Sequence, residues 1–139
     1  MKKKKTILTE ADIEMLNSFQ TANAGYFYQM LSYLHELIEK GVEDGRFTEE
    51  DAKSDCELAN WYAYACNNID DYEHYYEAMM WMPASEKNAS GCGTWYYRYA
   101  CALMYCGKLE KALEYAEKGV TEEPEYPWGW LQERCIWQA

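Results

Sequence analysis

Two Trp-Tyr pairs, Trp61-Tyr62 and Trp95-Tyr96, stand 34 residues apart, and the same interval separates Ala78 from Ala112 and Tyr96 from Trp130. Tyr64-Ala65-Cys66 returns as Tyr99-Ala100-Cys101 with a slip of one residue. A period of about 34 residues is the length of one helix–turn–helix unit, which cannot bury its apolar face alone and so stacks on copies of itself. The interval therefore directs the chain toward an all-α fold before any single helix is assigned.

The start and stop signals agree with helices throughout. Thr9-Glu10-Ala11-Asp12 has the form of a capping box, so a helix begins near residue 10 and carries Ile13, Leu16 and Phe19 on one stripe. A second stripe, Tyr26, Met30, Leu34 and Ile38, predicts a helix over 26–40, with Gly41 as its stop and 43–46 as a loop. Thr48-Glu49-Glu50-Asp51 repeats the capping pattern and opens one long helix to about Asn68. Asp70 or Asp71 caps the next helix, 72–81, which Pro83 closes, and 85–93 reads as a polar connector.

The clearest unit follows. Tyr96, Tyr99, Ala100 and Leu103 form an i, i+3, i+4, i+7 stripe; Gly107 ends that helix; and Leu109, Ala112, Leu113, Ala116 and Val120 line the return helix. Ala100 and Ala112 are small, as the crossing of two closely packed helices demands. Pro124 terminates the pair. With Tyr96, Ala100, Ala112 and Pro124 in place, this unit resembles a tetratricopeptide repeat. The preceding copy, 59–92, keeps Tyr62, Ile69 and Ala78 but lacks the turn glycine. A third begins at Pro127, with Trp130 at the aromatic position and Glu133 and Arg134 where apolar and small residues belong. The resemblance implies an all-α, short right-handed tetratricopeptide-like solenoid of antiparallel helix pairs, six or seven helices in all. Residues 1–139 then form one domain: N-terminal helices in 10–58, a repeat-like unit at 59–92, the clear repeat at 93–126 and a terminal helix at 127–139.

Charge removes several function classes. The formal net charge is −11 and the pI about 4.6, which disfavours nucleic acid and anionic membrane surfaces, because both need Lys and Arg to meet phosphate. A basic protein or peptide partner is compatible with this field, although high net charge also serves solubility alone. Four lysines at 2–5 precede a polar, acidic stretch rather than an apolar one, so no signal-peptide pattern is read, and a cytoplasmic location is expected. Six cysteines show no C-x-x-C spacing, consistent with free thiols in a reducing compartment.

No catalytic or metal site is expected, and no cofactor. His35-Glu36-Leu37-Ile38-Glu39 approaches a zinc-protease motif but has Glu where the second His belongs. Asp71 and His74 are spaced like one arm of a di-metal site that has no second arm, so capping by Asp71 explains them better. Nucleophile elbows and phosphate-binding loops are absent from the sequence.

Fourteen Tyr and six Trp remain to be placed. Such residues serve cores and binding surfaces alike. On the helix from Thr94, residues Thr94, Tyr97, Cys101, Met104 and Tyr105 lie opposite the packing stripe. The resemblance implies that this face lines a concave groove walled by Asn60, Asn67, Thr94, Tyr97, Cys101, Met104, Tyr105 and Trp128. Alternatively these aromatics pack against the N-terminal hairpin. The function that follows is a protein- or peptide-binding interaction module without catalysis of its own. An acidic chaperone-like or regulatory adaptor is the alternative, with a small-molecule binder or enzyme ranked below. The apolar content of 128–137 further suggests a homodimer through the C-terminal helix.

Overall fold

In the computed structural model, residues 6–138 are described, and every regular element among them is helical. The lysines at 2–5 and Ala139 lie outside the described residues. The order is α1 Glu10–Ser18, α2 Ala24–Glu43, α3 Glu49–Ser54, α4 Cys56–Ile69, α5 Tyr72–Trp81, a 3-10 helix Met82–Asn88, α6 Gly93–Tyr105, α7 Leu109–Glu122 and α8 Pro127–Trp137. No helix among these residues is long and apolar enough to cross a membrane.

Both capping boxes form. The hydroxyls of Thr9 and Thr48 accept from the amides of Asp12 and Asp51, and those aspartates accept in return from the threonine amides. The long helix expected from 48 to 68 is instead two helices, broken at Asp55 with ψ 117°. Asp55 is buried because its carboxylate gathers three donors. Oδ1 accepts from the Leu58 amide at 2.9 Å and from the Thr6 hydroxyl at 2.9 Å, and Oδ2 accepts from the Ile7 amide at 2.6 Å. Asp55 is thus a local N-cap for α4 whose carboxylate is also held by the N-terminal segment, partners that no local pattern encodes. Since α4 begins at Cys56, the expected division at 58/59 falls inside a helix.

Gly41 does not stop α2, which runs on to Glu43. It is buried against Phe47, whose ring lies where a side chain would start; an added Cβ would sit 2.0 Å from Phe47 Cζ. Close approach, not a turn, requires glycine there. The missing turn glycine of the 59–92 unit is replaced by Asp70 itself, which adopts the left-handed conformation at φ 64°. Asp71 then caps α5 through the His74 amide. In the next unit Gly107 takes the left-handed turn as expected, at φ 79°.

The helix pair α6–α7 is packed along its length, and α6 also contacts α4, α5 and α8. It is thus the centre of the domain. Three pairs 34 apart are alike in burial, Tyr62 with Tyr96, Cys66 with Ala100 and Ala78 with Ala112, whereas Trp61 is half-buried and Trp95 fully buried. Trp130, which continues the interval from Tyr96, is exposed. Much of the aromatic surplus belongs to the core. Tyr62 stacks on Trp81 at 4.4 Å, and Tyr99 meets Tyr115 edge-on at 4.7 Å. Trp95 is fully buried and donates its indole N–H to Ser85 Oγ at 2.8 Å, fastening the 3-10 connector to α6.

Candidate functional site

A cleft of about 330 Å³ opens between α4, α6 and the start of α8, lined by Tyr64, Asn67, Asn68, Tyr97, Arg98, Cys101, Tyr126 and Trp128. Helical spacing builds two of its walls: Tyr64, Asn67 and Asn68 share one face of α4, and Tyr97, Arg98 and Cys101 share one face of α6. The third wall comes from the α7–α8 junction. There Tyr126 meets Tyr97 edge-on at 5.9 Å, while the Gln132 side chain of α8 donates to the Tyr97 carbonyl at 2.7 Å. Trp128 stands half exposed at the rim.

Arg98 is the cation of this cleft. One guanidinium N–H donates to the Asn60 carbonyl at 2.6 Å, and the group lies 4.7 Å above the Tyr64 ring centroid. No carboxylate forms an ion pair with it among the described residues. Burial lowers its pKa from the ordinary value, partly opposed by Tyr126 and Tyr64. A guanidinium has five N–H donors, so capacity remains for an acceptor entering the cleft. Asn67 donates to the Arg98 carbonyl at 3.1 Å, and its side-chain oxygen is buried without a hydrogen-bond partner. Burial pushes the Cys101 thiol up to about 11, with Asp70 adding to the shift, so at neutral pH it is a neutral lining group rather than a nucleophile.

Four of the eight residues expected on a groove wall meet here: Asn67, Tyr97, Cys101 and Trp128. The other four are elsewhere. Asn60 is buried, its amide nitrogen 3.5 Å from Cys92 Sγ, because α4 turns that face toward α6. Thr94 and Met104 are half-buried, and neither lines the cleft. Tyr105 is exposed and stacks on Tyr75 of α5 at 4.6 Å. The N-terminal hairpin does not fill the cleft; it only borders it, where Phe27 of α2 meets Tyr64 edge-on at 5.3 Å. Sequence reasoning missed Tyr64, Asn68, Arg98 and Tyr126. Arg98 was within reach, being four residues from Thr94 and three from Cys101 on the same stripe. Tyr126 lies before α8 in a segment with no periodicity to read.

Each histidine lies near one carboxylate. His74 Nδ1 lies 2.6 Å from Asp71 Oδ1 at the α5 cap, and His35 Nε2 lies 3.9 Å from Glu77. No group of three or more potential ligands gathers among the described residues. The chain matches no protein-family model, no curated protein and no solved structure.

Proposed function

We propose that the chain is a cytoplasmic protein-interaction module of tetratricopeptide-like build, with α4–α5 and α6–α7 stacked as a short right-handed solenoid followed by α8. It holds an extended or helical peptide segment in the cleft and has no catalysis of its own. The shared burial of Tyr62 with Tyr96, Cys66 with Ala100 and Ala78 with Ala112 supports the repeat.

One observation carries the binding reading. The cleft combines four aromatic rings with the guanidinium of Arg98, which no carboxylate pairs with among the described residues. Aromatic side chains supply contact area at low entropic cost, and the spare guanidinium N–H groups can donate to an entering acceptor. The net charge of −11 steers a basic partner toward the protein from a distance. The wall itself holds an arginine and no carboxylate, so its direct contacts go to acceptors such as peptide carbonyls.

The test is selection of binders from a randomised peptide library, followed by calorimetry on the wild type and on Tyr97→Ala and Trp128→Ala. Each truncation should weaken binding by about 10–30-fold, with the circular dichroism spectrum unchanged. Selected peptides that bind both variants like the wild type would place the site elsewhere. Stabilisation by a small metabolite, with no peptide selected, would replace the reading with a small-molecule binder.

A further inference from the structure

On α8 the residues Gly129, Gln132 and Ile136 are buried against the rest of the domain. At 3.6 residues per turn, Trp130, Glu133, Arg134 and Trp137 fall together on a neighbouring face, roughly 100° wide. They border a shallow recess of about 430 Å³ with Gln138. Trp130 is 53% exposed and Trp137 66% exposed, and these are large areas for rings of this kind. Trp130 is nonetheless fixed in place, since its indole N–H donates to the Pro124 carbonyl at 2.8 Å. Glu133 and Arg134 form no salt bridge among the described residues.

The face reads the same from both ends. The midpoint between Trp130 and Trp137 is also the midpoint between Glu133 and Arg134. A two-fold axis through that point runs two copies of α8 antiparallel. Trp130 then lies opposite the partner's Trp137, and Glu133 opposite the partner's Arg134, each contact made twice. A parallel pairing in register would set Glu133 against the partner's Glu133 and Arg134 against the partner's Arg134. We infer that this face of α8 is the docking surface for a second copy of the chain, in an antiparallel two-fold arrangement. Trp128 belongs to the peptide cleft and takes no part. Two indoles and one charge pair per copy bury less than the roughly 800 Å² per partner of a standard interface, so association falls in the micromolar range.

Charge variants at the axis decide it. Sedimentation velocity of the full chain should show a rise from 16.4 kDa toward twice that mass as concentration goes from low to high micromolar. Glu133→Arg alone and Arg134→Glu alone should each remain monomeric, because like charges then face each other across the axis. An equimolar mixture of the two should associate at least as well as the wild type, since both crossings become complementary again. The double variant Glu133→Arg with Arg134→Glu should dimerise like the wild type, and circular dichroism checks that each variant is folded. A wild type that stays at 16.4 kDa throughout overturns the inference. So does a dimer indifferent to both single changes, or single variants that fail to associate when mixed.

Discussion

The same chemical change, glycine to alanine, should move stability in opposite directions at two helical positions ten residues apart. Gly119 is buried within α7, where α7 crosses α6. A Cβ added there would sit 2.7 Å from Tyr96 Cβ, an atom anchored to the α6 backbone that cannot rotate away. To reach ordinary contact at 3.4 Å the two helices must part by roughly 0.7 Å, and overpacking of this kind costs about 2–3 kcal/mol. Helix propensity returns about 1 kcal/mol of that, leaving Gly119→Ala destabilised by about 1–2 kcal/mol. For a chain of this length that lowers Tm by about 3–7 °C. At Gly129 in α8 the nearest atoms to an added Cβ are Val120 Cγ2 at 3.6 Å and Tyr126 Cδ2 at 3.8 Å, which are favourable contacts. Gly129→Ala should therefore stabilise by about 0.5–1 kcal/mol. Urea unfolding followed by far-UV circular dichroism reads both changes. A neutral or stabilising result at Gly119 would refute the close α6–α7 crossing, since propensity alone predicts a gain there.

Asp55→Ala removes the acceptor of three donors at the α3–α4 break, and should cost about 2–4 kcal/mol in urea unfolding, whereas a loss under about 1 kcal/mol would deny the carboxylate its role as anchor of the N-terminal segment. Thiol labelling at pH 8 should find exposed Cys135 first and Cys101 late. Burial raises the Cys101 pKa to about 11 and so favours the neutral thiol, reducing its thiolate about 100-fold relative to an ordinary cysteine. Its labelling rate should keep climbing as pH approaches 11; mass-spectrometric mapping that shows Cys101 modified together with Cys135 in the first minutes would contradict this.

Local chemistry, and therefore the sequence alone, determined that the chain is helical and fixed several of its caps. Thr9 with Asp12, Thr48 with Asp51, Asp71 before α5 and Gly107 after α6 each act within four residues on the backbone beside them, so no other part of the chain can alter their meaning. The 34-residue interval also pointed to Tyr62, Tyr96, Ala78 and Ala112, all of which are buried, but it pointed equally to Trp130, which is exposed. Four of the residues expected on a groove wall, Asn67, Tyr97, Cys101 and Trp128, line the candidate cleft. What lay beyond the sequence depends on partners distant along the chain. Asp55 caps Leu58 locally, but its burial depends on Thr6 and Ile7, which reach it from nearly fifty residues away. Gly41 is small because Phe47 folds back over it, and Trp95 is core because Ser85 lies within reach of its indole. Asn60 left the expected wall for the α4–α6 contact, while Arg98, Tyr64 and Tyr126 entered it through the angle at which α4, α6 and α8 meet. That angle is set by side-chain packing across all three helices at once, and periodicity along one helix carries no information about it.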